Sequence, residues 1–482
     1  MAVLITARTR TLRRSRLRLA VEGAVGALIA FLLIGTWLAE RFVVPSGSMA
    51  ETLLGDHFNF VCDDCGRLFA CGADEPAMTG KRAMCPNCGF LGAELAAAGM
   101  IDGDRLLVHK SAFSVRSPRR WEMAAFRNPD AASEILVKRV AGLPGETIEI
   151  RHGDIYANGE IQRKPLAELR SMAILVHDAD AEPHLSPQLP RRWQGEPEIT
   201  RWQAEDGRFS LREKLPFRSS ERDNGDSAPD EIDWLTYRHW RRRPGGAGEV
   251  EETAITDQYG YNQSRAITAS YPVRDLLVSC QIRLSGAGSI VFFLTDGQSQ
   301  FLLDWQVETG RAWLKAEGVQ AAEARDLPIP RQEGSRLELA LVDRQVVLAL
   351  DERVVLVHPY EPAPSPFRPS SRPIAIGSQG PGIELWNLKL YRDIYYTPPI
   401  RALPPAEGIA AAARQYRLGV DEYFVLGDNS PLAVDSRDYF GGGVPGEMLV
   451  GKPFMVYLPS RRTGGKQGGF QVPDLAKIRY IH

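Results

Sequence analysis

Glu134-Ile135-Leu136-Val137-Lys138-Arg139-Val140, then Leu143-Pro144-Gly145, then Thr147-Ile148-Glu149-Ile150-Arg151 reads as strand, turn, strand. The first segment runs apolar at strand length, the last alternates apolar with polar, and Pro-Gly punctuates between them. Upstream, Gly103-Asp104-Arg105-Leu106-Leu107-Val108-His109 begins the same strand-like run; downstream, Gly153 to Gly159 carries Asn158-Gly159, a hairpin turn signal. This piece is predicted to be all-β, and it resumes near 400 and runs to His482. The 44 Gly and 33 Pro among 482 residues point the same way, to many short strands and turns rather than a helical bundle. A chain of this length has room for two or three domains.

The N-terminal region has a different character. From Ala20 to Ala39 the chain is apolar apart from Glu22, and twenty residues at 1.5 Å rise cover about 30 Å, a bilayer's hydrocarbon core. Residues 20–39 are therefore predicted to be a transmembrane helix. Arg8, Arg10, Arg13, Arg14, Arg16 and Arg18 precede it, while Glu40 and Arg41 after it cancel. The positive-inside rule then makes 1–19 a cytoplasmic basic segment and puts the remainder on the extracytoplasmic side of the cytoplasmic membrane, single-pass. A cleaved secretory signal is the alternative. Net charge is −2 and no basic domain is present, which excludes nucleic acid as an expected partner; the N-terminal arginines fit anionic membrane lipid instead.

Cys62-Asp63-Asp64-Cys65 and Cys85-Pro86-Asn87-Cys88 form two Cys-x-x-Cys knuckles, and Gly66 and Gly89 follow them directly. That pattern predicts a zinc ribbon over 60–92, with Cys62, Cys65, Cys85 and Cys88 as four thiolate ligands of a structural zinc. A pair of disulfides stays open, because an extracytoplasmic site is oxidising. Cys71 is left as a substitute ligand, and Cys280 in Leu276-Leu277-Val278-Ser279-Cys280 reads as a buried core thiol.

Residues 165–397 read as an insertion. Its first third is broken by Pro and charge. From Val273 it becomes regular, with strand-length segments at Leu276–Leu284, Ser289–Leu294, Gln300–Val307, Arg311–Ala316, Leu337–Val342, Val346–Leu350, Ile374–Ile376 and Ile383–Leu390. Such spacing predicts a β-sandwich, and the turns Val342-Asp343-Arg344-Gln345-Val346 and Leu350-Asp351-Glu352-Arg353-Val354 look like those of a concanavalin-like jelly roll. Its ligand is unknown, since fold analogy does not supply one.

Three further stretches carry chemistry: Val43-Val44-Pro45-Ser46-Gly47-Ser48-Met49 just beyond the apolar segment, Lys138-Arg139 in the strand quoted above, and Gly427-Asp428-Asn429 followed by Asp435-Ser436-Arg437. Singly these are a turn, a solvated pair and a hairpin. In this order, downstream of a spanning segment, they resemble type I signal peptidase, the membrane-bound Ser-Lys protease family. The resemblance covers the anchor and three separated blocks, and implies a mainly β fold: a signal-peptidase-like β-barrel or sandwich core on one transmembrane helix, discontinuous over 40–59, 93–164 and 398–482.

By that resemblance Ser48 is the nucleophile, Lys138 the general base and Ser46, with the Ser48 amide, the oxyanion donor. Gly427, Asp428, Asn429, Asp435, Ser436 and Arg437 support the site, Asp435 and Arg437 bracing the lysine-bearing wall by an ion pair. The implied activity is removal of N-terminal signal peptides from exported precursor proteins after small-x-small motifs, with no cofactor for catalysis. A Ser-Lys dyad needs a neutral amine, so burial must lower the lysine from its usual titration near 10.4. Two positions depart from the family. Glu51 stands where proline is common, and Ser430 and Ala433 stand where the family has an arginine and a serine that bonds the lysine, so Ser430 or water is the expected substitute. Those departures keep open a catalytically impaired, membrane-tethered binding protein that uses the sandwich and ribbon. A Ser-His-Asp arrangement through His57 or His109 has no spacing in its favour, no His-Glu-x-x-His is present, and a soluble self-cleaving repressor would lack the spanning segment.

Overall fold

The computed structural model describes residues 16–33, 39–73, 81–95, 99–196, 200–212, 232–243, 249–264, 270–330, 332–399, 414–457, 460–462, 471–473 and 478–481. The fold is mainly β. In the peptidase-like region, a seven-strand path takes the order Ala39–Val43, Arg105–His109, Leu449–Val456, Met123–Asn128, Ala131–Gly142, Glu422–Leu426, Val444–Pro445. Every neighbouring pair is antiparallel. Segments before and after the insertion are thus direct ladder partners, with Val140 opposite Val425 and Arg139 opposite Leu426. A four-stranded sheet, Glu160–Ile161, Asp154–Ala157, Thr147–Arg151, Gln415–Arg417, completes this region. Its hairpin turns at Asn158-Gly159, with φ of 53° and 86°, the left-handed pair that Asn-Gly favours.

Two larger antiparallel sheets fill the insertion. One runs Trp202–Glu205, Arg208–Leu211, Gly382–Arg392, Leu276–Ser285, Ser335–Val342, Gln345–Leu350, Arg353–Pro359, with Ile174–Asp178 also on Gly382–Arg392. The other runs Trp193–Glu196, Asp233–Tyr237, Ile374–Gln379, Ser289–Thr295, Gln300–Gln306, Arg311–Ala316, Val319–Ala324. Alternate residues of both, among them Val278, Ile282, Leu339 and Leu385 from the first and Phe292, Phe301, Trp305 and Leu314 from the second, share one buried core, as face-to-face sheets must. The eight strand segments expected from Val273 onward coincide with observed strands, Val307 alone falling just past the end of its strand. The Pro- and charge-broken first third also forms strands, several of them carrying a buried tryptophan, phenylalanine or tyrosine; they are short and lie toward sheet edges, where alternation is weak.

Both cysteine knuckles sit on hairpins, His57–Val61 with Leu68–Gly72 and Arg82–Met84 with Leu91–Glu94. Gly66 and Gly89 both take φ of 71°, the left-handed conformation for which glycine carries no Cβ cost. At the N-terminus the helix Arg16–Leu33 corresponds to most of the expected span. Among the described residues no helix is long and apolar enough to cross a membrane: this one opens with Arg16, Arg18 and Glu22, and residues 1–15 and 34–38 of the expected basic segment and span lie outside the described residues.

Lys164 ties these regions together. It is 3% exposed, and its Nζ lies 2.6 Å from Asp343 Oδ1 in the turn between Ser335–Val342 and Gln345–Leu350 and 2.8 Å from Asp393 Oδ2 on the returning chain. It also lies 4.7 Å from the centroid of the Trp121 ring. Asp343 can reach it because Asp343 and Arg344 form a two-residue turn with φ of 45° and 55°. Removing one member of a buried ion pair strands the other charges. Lys164→Ala is therefore expected to destabilise the chain by about 3–5 kcal/mol, read as a lowered denaturation midpoint; an unchanged midpoint would contradict this.

Candidate active site

Ser48 lies in the single 3-10 turn Gly47–Met49, which follows the strand Ala39–Val43 and Pro45. Met49 and Leu53 are buried in a cluster with Val44, Leu106 and Met123, so the turn is anchored while Ser48 itself stays half-buried and Ser46 exposed. Lys138 stands on the long strand Ala131–Gly142 and is 2% exposed. The sheet brings the two side chains together, with Lys138 Nζ 2.5 Å from Ser48 Oγ. Ser46 Oγ donates to the same Ser48 oxygen at 3.3 Å.

The surroundings set the amine's protonation. Burial pushes the Lys138 amine down from 10.5 to about 8, the Asp435 and Asp428 carboxylates pull it back up, and the Arg437 guanidinium lowers it. At roughly 1.4 kcal/mol per pH unit, that displacement costs about 3 kcal/mol of stability wherever the amine must be charged. Adjacent residues on a strand point to opposite faces, so Arg139 leaves the site. Fully buried, it binds Asp428 through Nε at 2.9 Å and Nη2 at 2.7 Å, and Nη1 donates to the Trp121 carbonyl at 2.7 Å.

The segment 427–437 cradles the serine turn. Asn429 Nδ2 donates to the Gly47 carbonyl at 2.9 Å and its backbone N–H to the Ser48 carbonyl at 3.1 Å. Thr52 Oγ1 donates to Asp428 at 2.7 Å. A Cβ at Gly427 would lie 2.5 Å from the Ser48 carbonyl oxygen, closer than such contacts occur, so the close approach needs glycine. Asp435 takes Arg437 Nε and Nη2 at 2.8 Å each and the Gly427 N–H at 2.9 Å. Ser436 Oγ accepts the Val425 N–H. All six expected support residues are thus buried around the serine turn and the lysine strand.

One sequence expectation is corrected. Ser430 does not serve Lys138: its hydroxyl is taken by Arg437 Nη1 at 2.7 Å and the Thr397 N–H at 2.8 Å. Ala433 brings no polar atom in the side chain. His57 is buried with Nδ1 on the Gly55 carbonyl, and His109 meets Ser111, so neither hydrogen-bonds Ser48. Two contributors come from the insertion and had no motif to announce them. Tyr259 Oη donates to the Asp428 carbonyl at 2.7 Å, and the amides of Asn262 and Asn429 bond each other twice, at 2.7 Å each. Glu51 opens onto a neighbouring cleft, where desolvation pushes its carboxyl up against the pull of Arg392 and Arg67.

The sulfurs of Cys62, Cys65, Cys85 and Cys88 lie within 4.8 Å of one another. Cys62 to Cys88 is 3.5 Å and Cys65 to Cys85 is 3.6 Å, far longer than a disulfide's roughly 2.05 Å. They approach the roughly 3.8 Å edge of a tetrahedron with metal–sulfur bonds of about 2.3 Å. Cys71 is apart from this group, its thiol on the Gly260 carbonyl, and Cys280 is buried in the core shared by the two large sheets.

Comparison with known proteins bears on the same region. Residues 96–198 match the family described as signal peptidase, peptidase S26; that stretch contains Lys138 but neither Ser48 nor 427–437. Signal peptidase I V of Bacillus subtilis is 36% identical over 77 residues, 16% of this chain and 45% of that protein. Signal peptidase I of Pseudomonas aeruginosa is 26% identical over 140 residues, 29% of this chain and 37% of that protein. The chain thus spans less than half the length of these curated relatives. A carbohydrate binding module of Bacillus subtilis aligns with 33% of this chain and 94% of its own at 14% identity and a TM-score of 0.20, a likeness too slight to build on.

The buried amine gives a stability prediction. Its cost is fully present below about pH 8 and is relieved as pH rises toward 10.5, because the unfolded lysine then holds a proton that the folded one has lost. Lys138→Met is expected to raise unfolding stability at pH 7 by about 3 kcal/mol, a gain that is constant below about pH 8 and shrinks as the pH rises from about 8 to 10.5. A pH-independent difference in chemical denaturation across that window would contradict it.

Proposed function

We propose that this chain is a membrane-anchored serine endopeptidase that removes N-terminal signal peptides from exported precursor proteins by a Ser48–Lys138 dyad. The observation that carries the reading is the 2.5 Å approach of a half-buried serine's hydroxyl to a lysine amine that is 2% exposed and lowered to about 8. The family match around Lys138 and the relatives named signal peptidase I support it.

In this reading neutral Lys138 Nζ accepts the Ser48 hydroxyl proton as Oγ bonds to the scissile carbonyl carbon. Ser46 Oγ and the Ser48 backbone amide take the developing oxyanion. When the tetrahedral species collapses, the C–N bond breaks and Lys138 returns the proton to the leaving amine. Water then adds to the acyl-enzyme with Lys138 again as base, releasing the carboxylate and regenerating Ser48. Asp435 with Arg437, and Asp428 with Arg139, hold the lysine wall and the serine turn without touching substrate. Ala433 leaves the amine without the serine partner of the family, so Ser48 itself and the packed wall position Nζ.

The anchor in this proposal is the Arg16–Leu33 helix and the residues that follow it. Val21, Val25 and Ile29 are 54%, 49% and 52% exposed along one stripe, an apolar surface that lipid would cover, with the body of the protein outside the cytoplasmic membrane. The four-thiolate cluster is assigned a structural zinc, and the stacked sheets of the insertion a concanavalin-like sandwich. Zinc would hold the two hairpins of the ribbon and take no part in the peptide chemistry. Metal analysis is expected to find one zinc per chain, lost in Cys85→Ser; a metal-free wild-type chain would remove the assignment.

The direct test is cleavage of an exported precursor by the full-length protein in detergent. Cleavage after a small-x-small motif is expected, abolished in Ser48→Ala and in Lys138→Ala, with a rate that rises with pH and levels off above about 8. A wild-type chain that folds but does not cut, or activity flat from about pH 5 to 10, would overturn the reading and favour the tethered binding protein.

A further inference from the structure

A cleft of about 600 Å³ lies where the ribbon, the insertion and the serine loop meet. Glu51, Asn262 and Pro431 are among its lining residues. Glu51 is three residues from Ser48, and Asn262 is bonded to the Asn429 that holds the serine turn, so the cleft leads away from the nucleophile. Several arginines line it as well. Arg192 is 6% exposed, and among the described residues no carboxylate lies within ion-pair distance of it. Its Nη1 donates to His239 Nδ1 at 3.1 Å, and its guanidinium carbon stands 4.1 Å from the centroid of the Trp240 ring. Burial and the arginine charge keep His239 well below its usual value, so it is neutral and offers no compensation. Arg241, exposed beside it, donates to Thr256 Oγ1; it stands opposite Glu251 on the paired strand, whose charge acts on it, but forms no direct ion pair among the described residues. Arg242, by contrast, is paired with Asp64.

One feature here asks for an acceptor. A buried guanidinium without a counter-charge is costly, and Arg192 also borders a second recess of about 170 Å³. An oxyanion against it would supply the missing charge.

The wall indicates what carries the anion. Ile174, Leu175 and Val176 all line the cleft. Successive side chains of a strand alternate in direction, so three in a row means that the strand presents its edge. Ile174–Asp178 pairs with one neighbour only among the described residues, Gly382–Arg392, and the register shift between Leu175 and His177 bypasses Val176. At Asp178 the Asn87 side chain already holds the backbone N–H and carbonyl, so the stretch open to an extended peptide laid alongside is Ile174 to Val176. Apolar Ile255 and Trp240 would cover its alternate side chains.

We propose that this cleft binds an extended acidic polypeptide segment, its carboxylate seated between Arg192 and Arg241. On the protease reading, on which this identity of the ligand rests, the segment is the stretch of the precursor that flanks the scissile bond. The inserted domain then selects among precursors by charge, while Ser48 and its neighbours read only small side chains.

Binding tests this without cleavage. Two fluorescein-labelled peptides carry the same small-x-small motif and differ only in two Glu or two Gln in the flanking segment. Anisotropy is followed with full-length Ser48→Ala in detergent. The Glu peptide is expected to bind about tenfold tighter or more, since a charged hydrogen bond contributes roughly 1.5–3 kcal/mol. Arg192→Gln and Arg241→Gln should each bring it toward the Gln peptide, whose affinity stays unchanged. Arg241 is exposed, so its variant remains informative even where the buried Arg192 change impairs folding. Equal affinities of the two peptides would overturn the proposal. So would displacement of the Glu peptide by an equal concentration of inorganic phosphate, which would mark a free-anion site. A Glu preference that holds in a chain that proves unable to cleave precursors would sustain the cleft and sink only the catalytic reading.

Discussion

A buried amine held 2.5 Å from a serine hydroxyl, which on the proposed Ser-Lys reading must be neutral to work, is the constraint on which the rest of this structure depends. Neutrality near pH 8 requires removing Lys138 from water, which costs about 3 kcal/mol at lower pH. Packing alone would not hold an unpaired cation there. Two buried ion pairs, Arg139 with Asp428 and Arg437 with Asp435, clamp the strand and the 427–437 segment against each other without neutralising the amine completely. Their arginines compete for the carboxylates that would otherwise raise Lys138. The site is therefore a balance: carboxylates near enough to organise the loop, yet committed to guanidinium partners.

The same constraint explains how the chain tolerates so large an interruption. Strand Ala131–Gly142 must meet Glu422–Leu426 to bring Lys138 and 427–437 together, although two large sheets lie between them in sequence. Lys164, Asp343 and Asp393 lock the insertion at its root. From there the insertion reaches back to the serine turn through Tyr259 and Asn262. It is thus a scaffold of the site as well as an added domain, and the cleft beside Glu51 exists only because of it.

Much of this was legible in the sequence, for identifiable reasons. Of the regular strands from Leu276 onward, Gln300–Gln306 and Arg311–Ala316 alternate in burial, while Gln345–Leu350 and Ile374–Gln379 are buried almost throughout and read as short apolar runs; both patterns survive in single-sequence reading. The cysteine knuckles are local, and a four-residue spacing with a following glycine already specifies the turn. Ser48, Lys138 and 427–437 were found by order and motif. What escaped were relations across long separations. Arg139 looked like a solvated neighbour of Lys138, because nothing local reveals Asp428, 289 residues away, as its partner. Ser430 was expected to assist Lys138, but a buried arginine with several donors outcompetes the amine for that hydroxyl. Tyr259 and Asn262 sit in an irregular stretch without periodicity, where only the folded contact shows their use. The short strands at 193–196, 202–205 and 233–237 were hidden by proline and charge, which are tolerated near sheet edges.

The Ser-Lys reading stands most directly on the protonation of one atom. Lysine side chains of the full-length protein in detergent would be labelled with carbon-13 at Cε and titrated by NMR, with Lys138→Met used to assign the signal. A Lys138 midpoint near 8, set apart from the surface lysines, is the predicted result. A midpoint near 10.5, with the amine charged throughout the neutral range, would contradict it and leave Ser48 without a base.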